Sequence, residues 1–266
     1  MTGAPGGAWD CHAHIIGDRA RYPLAPRRSY DPPDAPLDAY LAMLDRRGIA
    51  RGVLVQPSVY GFDNRCMLDA LDRSGGRLSG VAVPDPGSSP QDLEAMHLRG
   101  VRGVRCNLLN PGGLDPEIVV KWRHVLRELA WHVVLHIDVA AVDDLRSWLR
   151  KFGTPIVIDH MGHPPLGQLQ LPELVGCVRD GTCIAKLSAP YRISSEPPPW
   201  RDVASLARVL LAANPGACLW GSDWPHTDVA SPVQEDDLFA ALEAWCPDPA
   251  TRRTVLDDVP RSLYRR

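Results

Sequence analysis

Apolar positions along the chain alternate between two spacings. Short runs rich in β-branched residues read as strands: Gly52 to Gln56, Gly80 to Pro84, Val101 to Leu108, His132 to Ile137, Pro155 to Asp159, Thr182 to Leu187 and Ala217 to Gly221. Between them, stripes spaced three and four apart read as helices, as with Leu37, Tyr40, Leu41 and Leu44, or Met67, Leu68 and Leu71. The stop signals fall where this reading needs them. Gly48 and the pair Gly75-Gly76 end two helices, and Asp115 with Pro116 behind it starts another that runs to about Ala130. Further helices are predicted at Pro90 to Leu98, Val142 to Phe152, Pro172 to Val178, Trp200 to Ala213, Gln234 to Trp245 and Pro249 to Asp257.

Counting the opening stretch Trp9 to Gly17 as the first strand, the order is strand then helix, about eight times. That order predicts a parallel sheet, and eight such units in 266 residues predict a single α/β domain over 1–266, a closed (β/α)8 TIM barrel. The Pro- and Arg-rich connection from about Arg19 to Pro36 is too long for a tight turn, which marks it for an active site or an interface.

Composition narrows the class without naming it. A formal net charge of −3 with 23% charged residues offers no basic stripe for nucleic acid or an anionic membrane. No apolar run is long enough to span a bilayer, and the short uncharged N-terminus lacks the parts of a signal peptide. The seven cysteines are odd in number and form no C-x-x-C, which fits buried reduced thiols in the cytoplasm. Self-association into a homo-oligomer is left open.

Candidate chemistry begins in the first strand. In an extended chain Asp10, His12 and His14 would share one face, opposite Cys11, Ala13 and Ile15. Such a His pair, taken alone, is more often part of an ordinary hydrogen-bonded network than a site. Barrel enzymes carry their chemistry at the C-terminal ends of the strands, however, and those ends here bear His12, His14, Arg105, His136, Asp138, His160 and Asp223. Singly, Arg105 could pair with a carboxylate, Asp138 could cap a helix and His160 could bond to Asp159. Jointly, imidazoles from three strands with a carboxylate at the ring closure read as an active site.

Three segments, Asp10-Cys-His-Ala-His14, Asp159-His-Met-Gly162 and Gly221-Ser-Asp-Trp-Pro-His226, resemble the signatures of the amidohydrolase superfamily in its amidohydrolase 2 branch. Within that branch Arg21-Tyr22-Pro23, Asp34 to Leu37, Val53 to Pro57, Val104 to Asn107 and Tyr191-Arg192 are similar to lactonases of the 2-pyrone-4,6-dicarboxylate type. The resemblance implies that His12, His14 and His160 polarise a lactone carbonyl and that Asp223 is the general base for water. It also implies that Arg105 and Arg192 anchor a substrate carboxylate; His163, and more weakly Ser58 and Tyr60 on the loop after the second strand, are candidates for further substrate contacts.

Departures from that pattern shape two more expectations. His136 stands where metal-free lactonases resemble a tyrosine and where zinc decarboxylases of the branch have a ligand, so His12, His14, His136 and Asp223 are read as the shell of one divalent metal, zinc by donor type. Direct polarisation with no cofactor is the alternative. Pro111 and His163 stand where dicarboxylate lactonases have arginine, which implies a substrate with fewer carboxylates. The expected activity is hydrolytic opening of a small carboxylated lactone. Alternatives are metal-dependent decarboxylation of an aromatic or muconic acid, isomerisation of a sugar lactone, and a catalytically silent binding barrel.

Overall fold

The computed structural model describes residues 7–165, 168–229 and 232–264. Eight strands, β1 (Trp9–Ala13), β2 (Arg51–Val55), β3 (Leu78–Ala82), β4 (Val101–Asn107), β5 (His132–His136), β6 (Ile156–Ile158), β7 (Ile184–Leu187) and β8 (Cys218–Trp220), pair in sequence order, every pairing parallel. The ring closes just beyond β8, where Asp223 N–H donates to the His12 carbonyl at 2.8 Å and His14 N–H donates to the Trp224 carbonyl at 2.8 Å. The fold is the predicted (β/α)8 barrel.

The helices follow the predicted stripes. They are α1 (Leu37–Arg47), α2 (Arg65–Arg73), α3 (Pro90–Leu98), α4 (Pro116–Lys121), α5 (Arg123–Glu128), α6 (Leu145–Arg150), α7 (Pro172–Arg179), α8 (Arg201–Ala213), α9 (Glu235–Trp245), α10 (Pro249–Arg253) and α11 (Val259–Tyr264). α11 lies beyond the last predicted helix, the helix predicted from Pro249 to Asp257 passes into a π-helical turn over Thr254–Asp258, and two other boundaries differ from expectation. The single helix predicted from Asp115 to about Ala130 is interrupted at Trp122, which ends α4 and starts α5 with ψ near −2°. The helix predicted from Val142 starts at Leu145 instead, because the Asp144 carboxylate accepts the Ser147 N–H and fixes the first turn there. Among the described residues no helix is long and apolar enough to cross a membrane.

Two apolar layers result. One lies between sheet and helices, with Tyr40, Leu44, Leu71, Leu126 and Leu210 fully buried in it. The other fills the barrel interior with Trp9, Cys11, Val53, Val55, Val81, Val134, Val157 and Leu219. Tyr264, at the end of α11, joins this inner layer, stacking on Trp9 at 5.8 Å and meeting His132 edge-on at 4.9 Å. His132, at the start of β5, marks that as the N-terminal end of the barrel. His12, His160 and Asp223 converge at the opposite end.

Candidate active site

At the C-terminal rim the sequence folds in a way its alternation does not foretell. Asp10 opposes Gly52 and Ala13 opposes Leu54, so β1 holds one residue more than β2 over this stretch, a β-bulge. Cys11 packs in the barrel interior, yet His12 also faces inward, while Ala13 belongs to the outer layer. Asp10 therefore does not share a face with His12, as alternation had implied. It lies behind the strand, accepting from Ser222 N–H at 2.7 Å, Ser222 Oγ at 2.6 Å, the Tyr40 hydroxyl at 3.0 Å and His12 N–H at 3.2 Å. These bonds tie β1 to the segment after β8 and to α1. Burial pushes the Asp10 carboxyl up to about 6 despite the four donors.

Close approach of the two strand ends requires glycine at 221. A Cβ there would sit 2.6 Å from His12 Cβ and 2.7 Å from His12 N, a clash with backbone rather than with a movable side chain. Gly221→Ala is expected to displace β1 and to cost about 1–3 kcal/mol of stability, read from urea unfolding. An unchanged midpoint would contradict this account of the closure.

Asp223 is the centre of the rim cluster. Its Oδ2 accepts from the Tyr191 hydroxyl at 2.6 Å and from Arg192 Nε at 3.0 Å. Its Oδ1 is buried without a hydrogen bond from the described residues, 3.4 Å from His12 Nε2 and 3.5 Å from His14 Nε2. Burial alone would raise this carboxyl, but Arg192 and the imidazoles hold it well below the usual carboxylate range. His160 completes the group: one ligand atom each from His12, His160 and Asp223 lie within 4.8 Å of one another. His160 and Asp223 both adopt left-handed backbone, φ 50° and 59°, a conformation that costs a non-glycine residue energy and that concentrates at functional sites. His160 Nδ1 is 2.9 Å from the Ser188 hydroxyl.

A second layer lies beneath His12. Lys186 and Asp159 are fully buried and paired at 2.7 Å, and Arg105 Nη2 reaches the other Asp159 oxygen at 3.3 Å. His12 Nδ1 is 3.2 Å from Lys186 Nζ and 3.4 Å from Asp159 Oδ1. Burial, then the Lys186 charge, pushes the His12 imidazole down to about 3. Burial also lowers His160 well below its ordinary value, and burial together with the Arg105 charge does the same to His136.

The donor set passes a test for a divalent cation. His14 Nδ1 lies 2.7 Å from the Val55 carbonyl and so carries a hydrogen, which directs any metal-binding lone pair of this ring to Nε2. That lone pair faces the lone pairs of Asp223 Oδ1, and two acceptors so placed are reconciled by a cation between them. Bonds of about 2.0–2.1 Å to a tetrahedral ion set its ligand atoms about 3.3 Å apart. The 3.4 and 3.5 Å separations around Asp223 Oδ1 match that edge.

Other predicted residues fall into three positions. His136 is absent from the three-residue convergence; its ring packs edge-on against His160 at 5.1 Å and His163 at 5.0 Å, and neither nitrogen has a hydrogen-bond partner among the described residues. His136, His163 and Arg192 line a cleft of about 610 Å³ over the rim. Arg105, Ser58 and Tyr60 do not line it. Arg105 is turned to Asp159 and the Gln56 carbonyl, and the Tyr60 hydroxyl accepts the Gly17 N–H at 3.1 Å, bracing the loop after β1. Asp138 caps the turn after β5 by accepting from Ala140 N–H. Asp159 and Tyr191, both inside segments that carry the family resemblance, join the site, as do Lys186 and Ser188, whose residue types gave little signal in the sequence.

Comparison with known proteins gives the same direction. A family profile described as amidohydrolase matches residues 9–266. The chain is 38% identical to a 4-sulfomuconolactone hydrolase of Rhizobium radiobacter, over 98% of this chain and 90% of the relative. It is 32% identical to a 2-pyrone-4,6-dicarboxylate hydrolase of Comamonas testosteroni, again over 98% and 90%. A solved structure from Pseudomonas putida, assigned as a 2-pyrone-4,6-dicarboxylic acid hydrolase, superposes with a TM-score of 0.83 at 36% identity and covers 97% of both chains.

Proposed function

Because the chain belongs to the amidohydrolase family, matching it from residue 9 to 266, we propose that it is a lactonase: a hydrolase that opens a small carboxylated lactone with water. One observation carries the reading. Asp223 presents a single oxygen, Oδ1, to the imidazoles of His12 and His14 while Tyr191 and Arg192 hold the other. A carboxylate held by two donors at one oxygen and by none of the described residues at the other is oriented to take a proton at a defined point.

The chemistry follows from that orientation. Asp223 Oδ1 removes a proton from the attacking water as it adds to the ester carbonyl, then returns it to the ring oxygen as that bond breaks. His12, His14 and His160 surround the carbonyl position. Arg192, on the cleft wall, anchors a substrate carboxylate, with His163 beside it. His12, His160 and Asp223, with His14 adjoining, would hold one divalent cation, zinc by its imidazole and carboxylate donors. Such an ion, when bound, supplies Lewis acidity that polarises the carbonyl and acidifies water. The seven free, buried cysteines fit a reducing, cytoplasmic setting.

Decarboxylation and lactone isomerisation have less support, since the curated relatives above 30% identity are named as hydrolases. Acid release separates the three. Hydrolysis of a monocarboxylated lactone at neutral pH should release one proton per ring opened; isomerisation releases none, and decarboxylation yields carbon dioxide. Elemental analysis of the purified protein should find about one zinc per chain, removable by a chelator with a fall in the unfolding temperature. Metal-free protein working at the full rate would overturn the metal assignment in favour of direct polarisation by the three histidines.

A further inference from the structure

Charge along the cleft has an order, and we propose that this order selects a lactone with one anionic group, bound at the cleft floor, over one with a second anionic group across the ring. The inference rests on the lactonase reading and names its substrate class. Arg192 is the one side chain with a permanent positive charge among the described residues lining the cleft. It sits at the buried end, with Nε on Asp223 and Nη2 on the Thr227 carbonyl, which leaves Nη1 with no partner among the described residues. His136 and His163 flank that end. Both rings line the cleft beside Arg192, and neither carries a guanidinium's permanent charge.

The mouth is built oppositely. Glu196 and Asp228 line the cleft from exposed positions, and neither carboxylate has a hydrogen bond or an ion pair among the described residues. The cleft wall also carries apolar residues, Pro197, Trp200 and Val233 among them. A substrate carboxylate therefore finds one cation at the floor, and a second acidic group, directed outward, finds two unneutralised carboxylates. Like charges about 6 Å apart at an effective dielectric near 40 repel enough to change binding about tenfold. The cleft thus fits a monocarboxylated lactone whose distal substituent is uncharged. That differs from the dicarboxylate for which the Comamonas relative is named.

Calorimetry with benzoate and isophthalate tests the charge order without any turnover, on the full chain and on the Glu196→Gln, Asp228→Asn double variant. Benzoate should bind the unaltered protein about tenfold more tightly than isophthalate, and the double variant should narrow that gap about tenfold. Isophthalate binding as tightly as benzoate, a gap unchanged in the variant, or no binding of either probe overturns the proposal. The same proteins are then given a monocarboxylated and a dicarboxylated lactone, and the ratio of kcat/KM should shift toward the dicarboxylated one in the variant. Binding in the expected order by a protein that opens neither lactone upholds the charge rule and overturns the lactonase reading.

Discussion

Asp223→Asn is expected to lower the rate of lactone opening by about a thousandfold, the middle of the range that general acid–base catalysis supplies. The substitution preserves volume and is expected to leave the barrel folded, so far-ultraviolet circular dichroism and the unfolding midpoint serve as controls. What it removes is the negative charge and the proton-accepting lone pair at Oδ1, the oxygen buried without a hydrogen bond between His12 and His14. Tyr191→Phe is the graded companion. It deletes the 2.6 Å bond to Oδ2 while leaving the carboxylate and Arg192 in place, and a hydrogen bond to a charged group contributes about 1.5–3 kcal/mol. Its rate should therefore fall about tenfold or somewhat more. Should Asp223→Asn retain full activity on a hydrolysed lactone, Asp223 is not the base and the proposed mechanism fails. Should Tyr191→Phe be as damaging as Asp223→Asn, Tyr191 touches the reaction itself rather than orienting its neighbour.

The barrel and part of its rim could be read from the sequence because both rest on local regularities. Runs such as Val53-Leu-Val55 and Val133-Val-Leu135 have strand spacing, the helices carry their stripes, and histidines placed at strand ends reach one mouth whatever the loops do. What escaped depends on contacts distant in sequence. The extra residue in β1 is invisible until β2 supplies the register, so the expectation that Asp10 sides with His12 was reasonable and wrong. Lys186 lies within Ile-Ala-Lys-Leu, where a lysine usually marks the solvent face; it is buried because Asp159, 27 positions earlier, meets it inside the barrel. Tyr60 and Arg105 were expected at the substrate, and both are engaged elsewhere, with Gly17 and with Asp159. Residue type identified these as capable of such contacts; only the fold determines which partner each takes.

The Lys186 and Asp159 pair should give the largest stability effect in the molecule. Both side chains are fully buried and 2.7 Å apart, so removing one leaves the other charged, dry and short of its main partner. Lys186→Met is expected to destabilise the fold by about 3–5 kcal/mol in urea unfolding at neutral pH. Asp159→Asn should fall in the same range, because it leaves Lys186 and Arg105 facing each other across a neutral amide. The double variant decides what the pair contributes. Desolvating two charges offsets most of their attraction, so replacing both should cost much less than the two single losses combined. Burial raises the Asp159 carboxyl, and Lys186, His12 and Arg105 overcome this, holding it well below its ordinary value. Its share of the stability is accordingly present at neutral pH and lost as acid brings the pH down through that depressed folded-state value. The unaltered protein should lose stability in acid more steeply than the double variant, which has no carboxylate at position 159 to protonate. Equal acid sensitivity in the two proteins, or a single substitution costing under about 1 kcal/mol, would show that solvent reaches the pair and that the buried ion pair is not what holds β6 and β7 together beneath His12.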